Sequence, residues 1–193
     1  MLLKHKIYAL CDFELLQSHN LTLVEYLRKI NKLDLVYVQY RDKVNPLEVQ
    51  IRNLKVLMEN IDAPVIVNDR LELLEIADGL HFGQEDLEDI ALKFNQSHKT
   101  TIELIRRKFP NKILGLSTHN EKEIVEANKL DLDYIGLGAY RDTNTKDVSN
   151  VIGSKASMLA QISTHPVGLI GGVTLEDSVE NIAYLVIGSG LIK

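Results

Sequence analysis

Three polar side chains follow an apolar run in the stretch "VQYRDK", which spans residues 38–43. Gln39, Arg41 and Lys43 occupy alternate positions, and side chains two residues apart on a β-strand point to the same side. One face of this segment therefore carries an amide and two cations. Because the whole chain has a formal net charge of −5, we expect these local cations to bind a small anion rather than a nucleic acid or an anionic membrane.

Two carboxylates indicate a metal site. Asp69 closes the third apolar run of the chain, and Asp86 lies just beyond the fourth. If these runs are neighbouring parallel strands, the two side chains meet at one edge. Mg²⁺ prefers such hard oxygen ligands, with phosphate oxygens and water completing its shell. Asp is also common at helix N-termini, so capping is an equal alternative for both residues.

A second group of phosphate-binding candidates lies in the stretch "DTNTK" and consists of Thr143, Thr145 and Lys146. Threonine hydroxyls donate hydrogen bonds to phosphate oxygens, and the lysine ammonium adds a point charge. Taken alone, the pattern is also typical of a solvated turn. Together with Arg41 and Lys43, Lys146 brings the cations to three, which is enough to face a pyrophosphate.

Glycines follow the last two apolar runs, in "IGGVT" at residues 170–174 and "IGSG" at residues 187–190. Glycine allows backbone N–H groups to approach an anion closely, and a helix starting after Thr174 would add the positive end of its dipole. Two tight turns are the alternative. Phosphate sites after strands seven and eight are frequent in barrels of eight parallel strands.

Eight short apolar runs must position these residues, and segments of helical periodicity, such as the one from Pro46, lie between most of them. The alternation predicts one α/β domain over residues 1–193, a (β/α)8 TIM barrel, with an open doubly wound sheet as the structural competitor. Such barrels carry their sites at the C-terminal ends of the strands. The runs are residues 6–12, 34–41, 64–69, 79–83, 112–118, 133–138, 167–172 and 184–189.

The helical pattern is uneven along the chain. Residues 87–99 have the least regular pattern and are interpreted as an extended surface connection. No apolar run approaches the length of about 18 residues that a membrane span needs, so we expect a cytoplasmic protein without a membrane partner. The one cysteine, Cys11, is interpreted as a buried structural thiol. Further helices are expected to begin near Leu21, Thr100, Glu121, Gly153 and Leu175.

The order of motifs from Tyr8 to about Ser189 resembles the thiamine-phosphate synthase family. The resemblance rests on a set of seven motifs in the correct order: "VQYRDK", "VNDR", "DGLHFGQEDL", "GLSTHN", "DYIGLG", "TNTK" and "IGGVT". It implies a (β/α)8 transferase that joins the pyrimidine and thiazole halves of thiamine phosphate, acts on small-molecule substrates and uses Mg²⁺.

The resemblance also implies roles for individual residues. The pyrophosphate of the hydroxymethylpyrimidine substrate would be held by Arg41, Lys43, Asn68 and Lys146. Gln39 would contact the pyrimidine, and Asp69 and Asp86 would bind Mg²⁺. The reaction centre and the thiazole-phosphate pocket would be lined by Ser117, Thr143 and Thr145, and the cup for the thiazole phosphate would include Gly172 and Ser189. The implied catalytic residues are Arg41, Ser117 and Lys146.

The sequence departs from the family pattern at its C-terminal end. The segment from Gly172 to Ser189 is several residues shorter than is usual. The sequence stops at Lys193, so the final helix after strand eight is expected to be shortened or absent. We expect a partner subunit, as in a homo-oligomer, or a neighbouring helix to cover the eighth strand. Two other functions are considered: a thiazole tautomerase, whose branch usually has histidine where this chain has Ala139, and a non-catalytic barrel that binds a thiamine precursor. The complete set of cations and acids favours the synthase.

Overall fold

A computed structural model describes residues 5–142 and 151–192. Its eight parallel strands form a closed barrel in which each strand pairs with the next and β8 pairs with β1. The predicted TIM barrel is thereby confirmed, and the open sheet is excluded. The strands are β1 Lys6–Asp12, β2 Leu35–Arg41, β3 Val65–Asn68, β4 Gly79–Phe82, β5 Ile113–Thr118, β6 Tyr134–Leu137, β7 Val167–Ile170 and β8 Tyr184–Ile187.

Helices surround the barrel over most of its circumference. They are α1 Phe13–Ser18, α2 Leu23–Ile30, α3 Leu47–Glu59, α4 Gln84–Lys93, α5 His98–Lys108, α6 Glu121–Ala127 and α7 Ala156–Ala160. Short 3₁₀ turns occupy Leu71–Leu73, Gly153–Lys155 and Ser189–Leu191. No helix in the described ranges is long and apolar enough to cross a membrane.

Helix α2 illustrates why these segments are helical. The Thr22 side chain accepts a hydrogen bond from the Glu25 N–H, and the Glu25 carboxylate accepts one from the Thr22 N–H. This capping box fixes the start of the helix. The spacing of Tyr26, Leu27 and Ile30 then places all three side chains on the buried face.

Two sets of side chains fill the structure. Outward-facing strand residues pack against the helices and form the main core, which includes the fully buried Cys11. Burial raises the pKa of the Cys11 thiol, in keeping with the predicted structural role. The barrel interior holds a smaller cluster, which consists of Tyr8, Ile66, Tyr134 and Val186.

Two of the predictions about helices are wrong. Residues 87–99 are not an extended connection, because α4 and α5 occupy most of them; Leu87 and Ala91, one turn apart, form a narrow buried stripe on α4. No helix lies between β7 and β8 in the described part of the chain, so neither the helix near Leu175 nor a dipole after Thr174 exists. The Asp177 carboxylate instead accepts hydrogen bonds from the N–H and Oγ of Thr174 at 2.8 and 3.1 Å, which stabilises a turn.

The C-terminal flank is covered by the chain itself. A 3₁₀ turn stands where the final helix was expected to be shortened or absent. The outward side chains of β8, Leu185 and Ile187, are 1% and 0% exposed within the single chain. Lys29 of α2 donates a hydrogen bond to the carbonyl of Ile192 at 2.7 Å, which ties the terminal turn to a neighbouring helix. Burial of β8 therefore requires no partner subunit.

Candidate active site

Arg41 is held in place where β2 ends. Its Nη1 lies 2.6 Å from Asp12 Oδ2 and 3.0 Å from Glu14 Oε2. The buried Asp12 also accepts hydrogen bonds from the backbone N–H groups of Glu14 and Leu15 and so caps α1. Burial alone would lower the pKa of Arg41, but the two carboxylates raise it above its usual range. Arg41 is therefore a fixed, permanently charged group at the mouth of the barrel.

Lys43 lies just beyond the strand rather than on it. The Asp42 carboxylate accepts hydrogen bonds from the backbone N–H groups of Val44 and Asn45 at 3.2 and 3.0 Å, which turns the chain directly after β2. This turn brings Lys43 Nζ to 3.3 Å from Asp69 Oδ2 while the lysine side chain stays 49% exposed. The ammonium group is thus beside the predicted metal ligands and accessible to a ligand.

The carboxylates of Asp69 and Asp86 meet where β3 and β4 end. The pKa of Asp86 is raised mainly by burial and to a smaller extent by the neighbouring Asp69 carboxylate. Asp69 Oδ1 accepts a hydrogen bond from the Gly83 N–H at 3.2 Å, and Asn68 donates one to Asp69 Oδ2. Neither aspartate is the N-cap residue of a described helix. Asp86 lies instead in the first turn of α4, and the metal role of both carboxylates stays a prediction.

This pair suits a divalent cation by its chemistry. Burial and the neighbouring Asp69 carboxylate both raise the pKa of Asp86, and a cation between the two carboxylates would remove their repulsion. Within the described residues, no group of three or more potential ligand side chains from His, Cys, Asp and Glu forms a metal site. An ion here would need substrate oxygens and water to complete its shell, which is usual for Mg²⁺.

Beneath the mouth, a chain of hydrogen bonds crosses the barrel interior. Gln39 Nε2 donates to Tyr8 Oη at 2.9 Å, and Tyr8 Oη lies 2.8 Å from Tyr134 Oη. Tyr134 Oη lies 2.9 Å from His81 Nδ1, and His81 Nε2 lies 2.9 Å from Ser117 Oγ. The chain connects two predicted site residues, Gln39 and Ser117, on opposite sides of the barrel.

The glycine turn after β7 is closed by a cation that sequence reasoning missed. Gly171 and Gly172 have φ angles of +90° and +64°, which glycine adopts without strain. Arg141 donates a hydrogen bond to the carbonyl of Gly172 at 2.8 Å and two to the carboxylate of Asp177 at 2.7 and 2.5 Å. The predicted cup residue Gly172 therefore lies beside a guanidinium group.

Ser189, the other predicted cup residue, begins the 3₁₀ turn after β8. A Cβ added to the neighbouring Gly190 would lie 3.1 Å from the carbonyl oxygen of Val173, so the turns after β7 and β8 adjoin. This arrangement places Gly172 and Ser189 on neighbouring turns. Contact of Ser189 with a phosphate stays a prediction.

The predicted site residues thus divide into three groups. The ends of β2 to β5 carry the predicted polar set, which consists of Gln39, Arg41, Lys43, Asn68, Asp69, Asp86 and Ser117. The predicted phosphate cup, Gly172 and Ser189, follows β7 and β8. Thr143, Thr145 and Lys146 lie outside the described residues.

Several residues that shape the site were not found from the sequence. Asp12 is the last residue of β1, and Asp42 directly follows β2. Their hydrogen bonds position Arg41 and Lys43, and no sequence motif indicated these bonds. Tyr8 and Tyr134 are fully buried within apolar runs and were therefore indistinguishable from core residues. His81 lies within β4 and makes a hydrogen bond with each ring nitrogen.

Comparison with known proteins agrees with this geometry. Residues 7–188 match the family model of thiamine monophosphate synthase. A thiamine-phosphate synthase of Picrophilus torridus is 32% identical over 162 residues, which cover 81% of this chain and 73% of the relative. One of Vibrio campbellii is 34% identical over 178 residues, covering 88% and 79%.

The solved structures include a thiamine phosphate pyrophosphorylase from Pyrococcus furiosus. It superposes with a TM-score of 0.73 at 24% identity, over 98% of this chain and 88% of the other, and supports the fold. The chain belongs to the thiamine monophosphate synthase family, as its motifs indicated, and is a transferase of that family.

Proposed function

We propose that the protein joins hydroxymethylpyrimidine pyrophosphate to thiazole phosphate and releases thiamine phosphate and pyrophosphate at the mouth described above. The observation that carries the proposal is the meeting of Asp69 and Asp86 beside Lys43, with Arg41 on the neighbouring strand end. Two carboxylates next to two cations match a magnesium pyrophosphate, because the metal and the basic side chains together balance its charge.

The pyrophosphate would lie against Arg41 and Lys43, with Lys146 and Asn68 as the further predicted contacts. Asn68 also orients Asp69 by its hydrogen bond, so its loss would affect the metal site as well as the anion. Gln39 would face the pyrimidine, and Ser117 would line the reaction centre beside it. The thiazole phosphate would occupy the turns of Gly172 and Ser189, with Thr143 and Thr145 nearby.

The proposed chemistry begins with ionisation at the pyrimidine methylene, and the thiazole nitrogen then captures the carbocation. Such a reaction needs stabilisation of the departing pyrophosphate and no protein nucleophile. Arg41 suits this role, because Asp12 and Glu14 fix its guanidinium before the ligand arrives. When bound at Asp69 and Asp86, Mg²⁺ supplies additional charge stabilisation for the leaving group. Mg²⁺ as the cofactor and the cytoplasmic location remain predictions, and the burial of β8 does not require a homo-oligomer.

The proposal is tested by mixing purified protein with both substrates and Mg²⁺ and following thiamine phosphate and pyrophosphate. We expect both products from the wild type and a loss of at least about 10²-fold in kcat for Asp69→Ala, because the metal and Lys43 both lose a partner. Asp62→Ala is the matched control: this exposed aspartate precedes the other end of β3.

The outcomes separate the three functions. Binding of both substrates without product would contradict the synthase and support a non-catalytic barrel. Isomerisation of the thiazole without coupling would support a tautomerase. Product formation that Asp69→Ala leaves unchanged would contradict the residue assignment while keeping the activity.

A further inference from the structure

The hydrogen-bonded chain beneath the mouth consists of Gln39, Tyr8, Tyr134, His81 and Ser117. These side chains come from five different strands, and consecutive polar atoms are 2.8–2.9 Å apart. Buried polar groups keep such partners because water cannot replace them. The chain is therefore a fixed part of the interior rather than one of many solvent-exchanging contacts.

The first link is compatible with one direction of hydrogen bonds along the whole chain. Gln39 Nε2 donates to Tyr8 Oη, and in this direction Tyr8 gives its single proton to Tyr134 Oη. Tyr134 then donates to His81 Nδ1. With Nδ1 as an acceptor, a neutral imidazole carries its proton on Nε2 and donates it to Ser117 Oγ.

The direction determines what the two ends present to a ligand. Gln39 directs its amide nitrogen to Tyr8, and no described residue donates a hydrogen bond to its Oε1, so a carbonyl oxygen is left for a donor. In this direction Ser117 Oγ accepts from His81, so its hydroxyl proton is left for an acceptor. An amino-substituted pyrimidine has both partners, an exocyclic N–H donor and a ring nitrogen acceptor.

We propose that the hydrogen bonds run in this direction and that Tyr8 and Tyr134, acting through His81, are positioning residues that fix Gln39 as the acceptor and Ser117 as the donor for an aminopyrimidine ring. The inference rests on the proposed function for the identity of the substrate. Neither tyrosine touches the ligand in this scheme. Their hydroxyls stop the Gln39 amide from rotating and hold the imidazole in one tautomer, so the site rejects a ring that lacks the amino group.

Gly115 provides space for the hydrogen-bonded chain. A Cβ added to Gly115 would lie 2.2–2.5 Å from the Tyr134 ring, which is closer than any real contact. The ring of Tyr134 also packs against Tyr8 and His81, with centroids 5.6 and 5.5 Å away. The tyrosine hydroxyl is thus held toward both of its partners by packing as well as by hydrogen bonds.

The test compares the natural pyrimidine pyrophosphate with an analogue in which hydrogen replaces the amino group. For the wild type, Tyr8→Phe and Tyr134→Phe, kcat/KM is measured for both compounds, and their ratio gives the discrimination. We expect the ratio to fall about tenfold in each variant, the effect of releasing a fixed hydrogen-bond partner. The double variant should fall no further, because both hydroxyls act through one chain.

Tyr184→Phe is the matched control. Tyr184 packs against the same interior cluster and contacts the Tyr134 ring at a centroid distance of 6.3 Å, but its hydroxyl is not a member of the chain. We expect its discrimination ratio to equal that of the wild type. Equal losses of rate on both compounds in Tyr134→Phe would overturn the proposal, because a merely structural role has that effect.

A measurement on the wild-type protein tests the direction of the hydrogen bonds in the chain. Nitrogen-15 NMR of the labelled wild type reports which imidazole nitrogen of His81 is protonated. A proton on Nε2 supports the proposal, whereas a neutral ring with its proton on Nδ1 would overturn it. This result does not depend on turnover, so failure of the proposed function, seen as a wild type that makes no thiamine phosphate, is distinguishable from failure of this inference.

Discussion

Arg41 is held by two carboxylates that differ in burial, and this difference makes a first prediction. The Asp12 side chain is 1% exposed and that of Glu14 is 55% exposed, while both bind the same Nη1. We expect Asp12→Asn to lower the free energy of unfolding by about 3 kcal/mol, because it breaks a buried ion pair and weakens the cap of α1. Urea unfolding measures the change.

Glu14→Gln is the control for that prediction, since an exposed ion pair contributes only about 0–1 kcal/mol. It removes the second carboxylate without disturbing the buried one. Similar losses in the two variants would show that burial does not decide the strength of the pair. In that case Arg41 would not be preorganised by Asp12 for a pyrophosphate.

The proposed metal site gives a second prediction at the same scale. The pKa of Asp86 is raised in the folded protein, so its protonation stabilises the metal-free fold, and that stabilisation is lost as the pH rises through the raised pKa. At neutral pH, Asp86→Asn should therefore raise the Tm of the metal-free protein by about 1–2 °C. We expect Mg²⁺ at a hundredfold excess over Kd to raise the Tm of the wild type by about 5–10 °C, and Asp86→Asn should abolish this increase.

Differential scanning calorimetry with and without Mg²⁺ measures both effects. The exposed Asp89, one turn further along α4, provides the matched variant Asp89→Asn, which should keep the full Mg²⁺ response. The response of the wild type should shrink on acidification, because Mg²⁺ binds the ionised carboxylates. An undiminished Mg²⁺ response in Asp86→Asn would contradict the assignment.

Sequence reasoning at this scale succeeded where one strand end fixes the position of a side chain. Asp69 and Asp86 were placed together because neighbouring parallel strands end at the same edge, and that needs no knowledge of side-chain packing. The contact between Tyr8 and Tyr134 joins residues 126 positions apart across the barrel. It depends on register and on the space left by Gly115, neither of which the apolar pattern contains.

Among the elements, the connection between β7 and β8 depends on an ion pair instead of a helix. Arg141 binds Asp177 through two nitrogens and stacks on Tyr140, with its guanidinium carbon 4.4 Å from the ring centroid. We expect Asp177→Asn to lower the free energy of unfolding by about 1 kcal/mol at neutral pH, because the Arg141 side chain is 47% exposed and solvent screens the pair.

The pH dependence of that loss has a definite sign. The hydrogen bonds from Arg141 lower the pKa of Asp177 to about 2. The stabilisation is therefore complete above the ordinary pKa of an aspartate and is lost as the pH falls toward 2. Urea unfolding should show that the difference in free energy of unfolding between wild type and Asp177→Asn becomes smaller below pH 5. Glu180→Gln, a change at an exposed residue of the same connection, should show no such pH-dependent difference. A difference independent of pH would contradict the ion pair.

At the scale of the elements, the apolar pattern of the sequence located the strands better than the helices. All eight strands were located to within two residues, since buried parallel strands are short apolar runs with sharp polar ends. Helix α4 was missed because its buried stripe is narrow and its sequence is dominated by charge. The helix expected near Leu175 is absent because Thr174 and Asp177 bond each other locally and form a turn.

At the scale of the whole molecule, closure of the barrel places every polar strand end on one rim, and that is why scattered motifs meet. Closure also removes the sheet edges that would otherwise need cover. The sequence predicted the barrel from its repeated alternation, but it left open how β8 is shielded. The answer depends on the terminal turn, whose Leu191 and Ile192 are 7% and 4% exposed and belong to the main core.

This cover leads to a last prediction. A Cβ added to Gly190 would lie 2.9 Å from the Ile187 side chain, so the terminal turn packs directly on β8. Leu191→Ala should lower the free energy of unfolding by about 2–4 kcal/mol through the cavity it leaves, whereas Leu92→Ala, at a side chain that is 66% exposed, should have almost no effect. Because the chain covers its own flank, the wild-type Tm should not change over a hundredfold range of protein concentration. A Tm that rises with concentration would instead show that subunit association stabilises the fold.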